Sequence, residues 1–268
     1  MFAKKIALLS EDLLWTQNFF KGYPATEMTK AFPGMEEFAE HLGMEVVYKK
    51  ALKYKAGMYS PILEEIYRAG ADCCVFVASP GNDTDVFAKQ WADSSARNMH
   101  LSMTAGCGSR FWERTGGKCV GVVYGWGQVP LLTGDHIEIP DINTVAKEHN
   151  LILDAAVMFS AYPDIFFIKK AIEKAGGTED IDALIKAMEE TEIKGPVGVL
   201  RYQMEKIPPF FHSAVMLDPR NPINWAERGL RIDMGQYQKG GEIVLLSKPF
   251  PGVNGSPDFY KSPAELRK

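Results

Sequence analysis

The 268-residue chain (29.8 kDa) is 46% hydrophobic and 24% charged, an ordinary globular composition with length for one large core or two smaller ones. Its 30 Lys and Arg against 34 Asp and Glu give a net charge of −4 and a pI near 5.8, without a basic block. That argues against a sequence-independent grip on nucleic acid. Aromatic residues at 11% and recurrent apolar runs exclude a disordered chain.

In chain order, residues 5–9 read as a buried strand, and 12–15 as a turn leading into a helix that Pro24 and Pro33 interrupt. Ahead of Glu11 and Asp12, Lys4 and Lys5 lead into an apolar run, 6–9, too short for an export-signal core, and no small-residue cleavage site follows. A fresh helix over 34–42 stops at Gly43, and 44–48 forms the next strand. Ser60 and Pro61 open a helix as cap and first-turn proline, with Ile62, Leu63 and Ile66 on one face. The run 71–78 is apolar enough for a central strand. Residues 79–82 are turn chemistry, and Asn82 or Asp83 can cap the helix carrying Val86, Phe87, Gln90 and Trp91. A strand at 101–103, a Gly-containing loop, a helix around Phe111 and Trp112, and a strand at 119–124 complete the series. Such alternation predicts a parallel α/β sheet with right-handed crossovers.

The pattern changes near residue 142. Periodic helices are expected over 143–175 and 180–190, with Thr178, Glu179 and Asp180 supplying caps for the second. The longest apolar stretch, 151–167, contains Asp154, Pro163 and Asp164, which a bilayer would penalise, so it reads as a buried helix. The stripe Phe159, Tyr162, Phe166, Ile168 and Ile172 reads as core. Segments 197–202, 213–217 and 242–246 are β-rich, and the proline-containing tail after Pro249 wraps the surface or frays. Cys73 and Cys74, adjacent in a strand, face opposite ways and do not pair with each other. Cys107 and Cys119 pair only if the fold brings them together, and buried or free thiols are expected.

Ligands of an open parallel sheet bind beyond the carboxyl ends of its strands. Here that means the loops 10–15, 79–83, 104–109 and 124–130, which offer Trp15, Ser79, Asn82, Thr104, Tyr124 and Trp126 with several glycine N–H groups. Aromatic faces beside neutral polar groups suit a small organic solute, although turn chemistry alone explains any one loop. Enzyme signatures are poor. Gly106-Cys107-Gly108 could present N–H groups to an anion, but the rest of a dinucleotide fingerprint is missing and there is no phosphate-loop motif. Cys107 as a nucleophile would need a histidine base that the sequence does not place nearby. His41, His100, His136, His149 and His212 lack metal spacing, and Glu64-Glu65 and Glu189-Glu190 read as solvated helix faces. No cofactor, metal or catalytic residue is expected.

Residues 4–9 (Lys-Lys-Ile-Ala-Leu-Leu), Asp12 and the aromatic Trp15 resemble the opening of the second lobe of type I periplasmic binding proteins. The closest group is the branched-chain amino acid (Leu/Ile/Val-type) solute-binding receptors of ABC importers. The likeness continues through 63–72 (Leu-Glu-Glu-Ile-Tyr-Arg-Ala-Gly-Ala-Asp), Phe87-Ala88-Lys89-Gln90, 170–177 (Lys-Ala-Ile-Glu-Lys-Ala-Gly-Gly), 182–188 (Asp-Ala-Leu-Ile-Lys-Ala-Met) and Gly195-Pro196-Val197-Gly198. It implies a three-layer α/β/α ligand-binding lobe with a parallel sheet over 4–135, the family's second lobe. A partial lobe over 142–203 and a β-rich C-terminal segment over 204–268 follow. By the same resemblance the chain starts where family members cross into their second lobe. An apolar surface is then left open, from which dimerisation, rearrangement or aggregation is expected, a homodimer being one outcome.

What the resemblance implies for function is non-catalytic binding of a small solute by lobe closure, in partnership with an ABC transporter permease. The location implied is periplasmic, or cytoplasmic if Met1 is the true start. The contacts carried over are Trp15, where the family places an aromatic over the ligand, and the loop Ser79, Pro80, Gly81, Asn82 and Asp83. Thr104, Ala105 and Tyr124 complete the set. Ala105 stands where amino-acid-binding members often have a Glu for the ligand ammonium. This points away from an ordinary α-amino acid unless Asp83 or another acid substitutes, and towards an amide, an aromatic acid or another small carboxylate. A cytoplasmic ligand-sensing regulator on the same fold and an α/β enzyme using Cys107 are the alternatives.

Overall fold

A computed structural model describes residues 3–24, 31–79, 81–103, 110–125, 135, 137–151, 161–202, 204, 234–246 and 255–268. The chain forms two compact units: Met1–Gly127 with Met234–Leu246 and Pro257–Lys268, and Gln128–Asp233 with Ser247–Ser256.

The first unit is built on β1 (Lys5–Glu11), β4 (Glu45–Leu52), β5 (Cys73–Val77), β6 (His100–Met103) and β7 (Val122–Gly125). Between them run α1 (Met35–His41), α2 (Ser60–Arg68), α3 (Thr84–Asp93) and α4 (Phe111–Thr115). A small ribbon, β2 (Gly22–Tyr23) with β3 (Phe32–Pro33), precedes α1. Two late strands, β10 (Met234–Tyr237) and β11 (Ile243–Leu245), complete a seven-stranded sheet of order β11-β10-β7-β6-β5-β1-β4. Strands β4, β1, β5, β6 and β7 pair in parallel, whereas β10 runs antiparallel to β7 and β11 antiparallel to β10.

Side-chain alternation along the strands explains the layers. On one face Ile6 and Leu8 gather Ala39 of α1 with Phe19, Phe20, Val46 and Val75. On the other, Ala7, Leu9, Cys74, Phe76, Leu101 and Met103 pack on Leu63 and Ile66 of α2 and on Phe87, Ala88 and Trp91 of α3. A strand buried on both faces needs an unbroken apolar run, which is what 6–9 and 73–77 supply. The expected three-layer α/β/α sheet is therefore present.

Local departures from the expected elements have clear causes. Asp12 does not lead into an α-helix; a short 3-10 turn, Leu14–Thr16, is closed instead by the Thr16 hydroxyl, which reaches the Leu13 carbonyl at 2.9 Å. Ser60 does not cap α2. The Tyr59 and Ser60 N–H groups donate to Gln90 Oε1 at 2.6 and 2.8 Å, so a side chain from α3 satisfies that helix end. Asp83 holds the N-cap position of α3, as expected, but its side chain and that of Asn82 bond elsewhere and not to the helix N–H groups. The strand expected at 119–124 begins only at Val122, after a turn in which Gly121 takes φ +90°.

The C-terminal residues of this unit clasp the sheet at the amino ends of β6 and β7. Gln236 Nε2 donates to the Lys261 carbonyl at 2.7 Å, and Lys261 N–H returns a bond to Gln236 Oε1 at 3.0 Å. Gln238 reaches the Phe259 carbonyl at 3.1 Å, and the Tyr260 hydroxyl meets His100 Nδ1. The Arg267 guanidinium lies 4.4 Å from the Trp91 ring centroid and donates to the Arg97 carbonyl. Residues 257–268 thus lie against the sheet, and of the segment 204–268 the strands β10 and β11 belong to it.

The second unit contains α5 (Ile142–Glu148), α6 (Tyr162–Ala175), α7 (Ile181–Glu189) and a hairpin of β8 (Glu192–Gly195) with β9 (Gly198–Arg201). The expected single helix over 143–175 is broken. Asn150 adopts φ +52° just past the end of α5, and residues 152–160, ahead of α6, lie outside the described residues. Asp180 caps α7 by accepting from Ala183 N–H at 3.0 Å, as its position predicts. The core here comprises Ile139, Phe167, Ile193 and Leu200, with Tyr162 and Phe166 packed on it. Ile168, expected in the core, is 46% exposed, because the helical repeat turns Pro163, Phe167 and Ala171 inward. Phe159 and 213–217 lie outside the described residues. Among the described residues, no helix is long and apolar enough to cross a membrane.

Candidate functional site

The chain runs from β1 out to β4 on one side and returns to β5 on the other, so the strand order reverses at β1. Crevices at such reversals, beyond the carboxyl ends of the strands, are the usual ligand sites of open α/β sheets. The last residue of β1 is Glu11, whose side chain is wholly buried although it ends an otherwise apolar strand.

Glu11 Oε1 accepts from the indole Nε1 of Trp15 at 2.8 Å, and Oε2 accepts from Asn82 Nδ2 at 2.7 Å. The Thr16 hydroxyl also reaches the Glu11 carbonyl. Asn82 Oδ1 in turn accepts from Lys55 N–H at 3.2 Å and Asp83 N–H at 2.8 Å. Asp83 Oδ2 accepts from Gly57 N–H at 2.9 Å, and Oδ1 takes the Tyr59 hydroxyl. Tyr54 donates to the Gly81 carbonyl at 2.8 Å, and a Cβ on Gly81 would lie 2.6 Å from that hydroxyl. A side chain there would displace the Tyr54 hydroxyl from its bond to the Gly81 carbonyl, and no left-handed φ is involved. Three loops, following β1, β4 and β5, are thereby joined into one hydrogen-bonded rim.

Charge and burial have predictable effects in this rim. Burial, then the bond to Asp83, raises the Tyr59 hydroxyl well above the ordinary tyrosine value, so it stays a donor. Trp15 remains 52% exposed beside its buried acceptor. Among the described thiols, burial pushes Cys73 up to about 11 and raises Cys74 and Cys119 as well, which disfavours the thiolate at these three positions.

Of the candidate contacts, the structure brings together Trp15, Gly81, Asn82 and Asp83, with Ser79 closing their turn through its carbonyl to Asn82 N–H at 3.0 Å. Tyr124 is elsewhere in character. It is 1% exposed and its ring packs against Tyr237, with centroids 5.1 Å apart. Pro80, Thr104, Ala105, Cys107 and Trp126 lie outside the described residues. Sequence reasoning missed Glu11, Tyr54, Tyr59 and the bridging part played by Gln90. An acid closing an apolar strand, with an aromatic four residues on, was the available signal for the first. The others announce nothing, because their partners are far away in sequence.

The sequence matches the periplasmic binding protein family model over residues 19–207. No curated protein gives a significant match. Among solved structures, an ABC transporter substrate-binding protein from Sphaerobacter thermophilus is 18% identical, with a TM-score of 0.63 over 95% of this chain and 62% of that one. A solute-binding protein of an ABC transporter from Rhodopseudomonas palustris, in complex with p-hydroxybenzoic acid, is 16% identical, with a TM-score of 0.61 over 96% and 62% of the two chains. An amino acid ABC transporter substrate-binding protein from Pseudomonas fluorescens is 13% identical, with a TM-score of 0.60 over 93% and 61%. The chain therefore spans about three-fifths of the length of these structures. With a mostly parallel α/β sheet, a rim at its point of strand reversal and a family match across most of its length, the chain belongs to the periplasmic binding protein family.

Proposed function

We propose that this chain is the solute-binding component of an ABC importer, a non-catalytic protein that takes up a small carboxylate and presents it to a membrane permease. Family membership supports the class of function. The observation that carries the choice of solute is the engagement of the rim's two acids. Glu11 is held by Trp15 and Asn82, and Asp83 by Tyr59 and Gly57. Asp83 is thus already committed and does not substitute for the acid that Ala105 cannot supply. An α-amino acid would then lack a charge-assisted bond to its ammonium, worth about 1.5–3 kcal/mol.

An aromatic carboxylate has no such requirement, and its ring suits the half-exposed indole of Trp15. The relative solved with p-hydroxybenzoic acid supports the same class. We therefore infer a small aromatic carboxylate as the solute, ahead of amides and branched-chain amino acids. In this reading the sheet-bearing unit corresponds to the family's second lobe and 142–203 to part of the first. Binding then acts by lobe closure in the periplasm.

The test is thermal unfolding of the full chain with 4-hydroxybenzoate, benzoate, benzamide, leucine and phenylalanine. A solute at a hundred times its Kd stabilises by about 2.7 kcal/mol, so the two aromatic acids should raise the midpoint. A shift with leucine and none with the aromatic acids overturns the solute class. No shift with any member overturns the function.

A further inference from the structure

We propose that Glu11 is a positioning residue, fixing the half-exposed Trp15 indole against the buried Asn82 amide in the one arrangement that presents the indole to a solute. The proposal rests on the reading of this rim as the solute site. Glu11 is 0% exposed, so no solute touches it directly. Its two oxygens divide between the loops: Oε1 to Trp15 Nε1 at 2.8 Å, and Oε2 to Asn82 Nδ2 at 2.7 Å.

The chemistry explains why an acid is required. The indole and the amide both present N–H donors, so a side chain bridging them must accept twice and donate nothing. Only a carboxylate of this reach does so. Glutamine offers one oxygen, and its NH2 would face a donor on the other side. The carboxylate sits at the end of β1, held by parallel pairing to β4 and β5, so the anchor is rigid where the loops it holds are not strands. On the far side, Asn82 passes the constraint on through Lys55 N–H, which ties in the loop after β4.

The experiment uses the full chain labelled with ¹⁵N. The Trp15 indole N–H signal, assigned by its disappearance in Trp15→Phe, should move and exchange faster with water in Glu11→Gln, and the Asn82 amide pair should move with it. Binding of 4-hydroxybenzoate should weaken about tenfold in Glu11→Gln, and much less when the same change is made in Trp15→Phe, because the two act through one contact. An indole signal unmoved in Glu11→Gln overturns the proposal, as does an equal loss of affinity in both backgrounds. Trp15→Phe alone serves if Glu11→Gln does not fold: it keeps a ring and removes the donor, and affinity equal to the parent's overturns the proposal. If no carboxylate binds the parent protein, the solute reading fails, while the indole signal still decides whether Glu11 holds Trp15.

Discussion

The two edges of the first unit's sheet are finished by different chemistry. At the carboxyl edge, Glu11 and Asp83 accept from Trp15, Asn82, Tyr59 and Gly57, tying together the loops after β1, β4 and β5. At the amino edge, the neutral amides of Gln236 and Gln238 hold the returning C-terminal residues through backbone groups, and a His100–Tyr260 contact is added. An amide with one donor side and one acceptor side pairs with a backbone strand as another strand would, which suffices to hold a tail. Carboxylates accept repeatedly and in fixed directions, which suits loops whose side chains must be aimed. The difference teaches that one edge is built to align groups and the other to close the domain.

Four changes would break or sharpen that contrast. The largest effect is expected from Asp83→Ala, which strips partners from the Tyr59 hydroxyl and the Gly57 N–H. It should cost about 2–3 kcal/mol in denaturant unfolding and abolish solute stabilisation. Gln236→Ala should cost less, about 1–2 kcal/mol, and hasten protease cleavage of the C-terminal tail while solute affinity stays at the parent value. Equal loss of binding in both variants would erase the distinction between the edges.

The third change is in pH. Burial lowers the His100 pKa, against smaller raising effects of Asp72 and Glu265. Below the unfolded value, about 6.5, the unfolded chain therefore holds more protons than the folded one. The stability that neutral His100 contributes is present above that pH and declines as the pH falls through the lower folded value. His100→Gln should flatten unfolding midpoints across that acidic window. The smallest effect is expected from Lys169→Ala, whose exposed ion pair with Glu173 at 2.9 Å belongs to neither edge. It should change stability by less than about 0.5 kcal/mol.

Much of this architecture was legible because it rests on local rules. The apolar runs before Glu11 and around Phe76, the proline at the start of α2 and the cap at Asp180 announce their elements without knowledge of neighbours. The elements misread were those whose ends are satisfied from afar. Gln90 supplies the acceptor for α2 that Ser60 was expected to provide, and the Asp83 side chain, at the N-cap of α3, bonds Tyr59 and Gly57 instead. Trp15 and Asn82 could be picked as candidate contacts from their loops, but not as a pair. The acid that joins them lies 71 residues from Asn82 along the chain.

The sequence by itself therefore determined the class of fold and the loops where chemistry gathers, since alternation, turns and apolar runs act over a few residues. It also fixed the balance of charge, a net −4. Only the tertiary structure decided which polar groups are spent on one another. Hydrogen-bond partners such as Glu11 with Asn82, Tyr59 with Asp83 and Gln236 with Lys261 are chosen by strand order and loop return, and a buried donor takes whichever acceptor the fold brings to it.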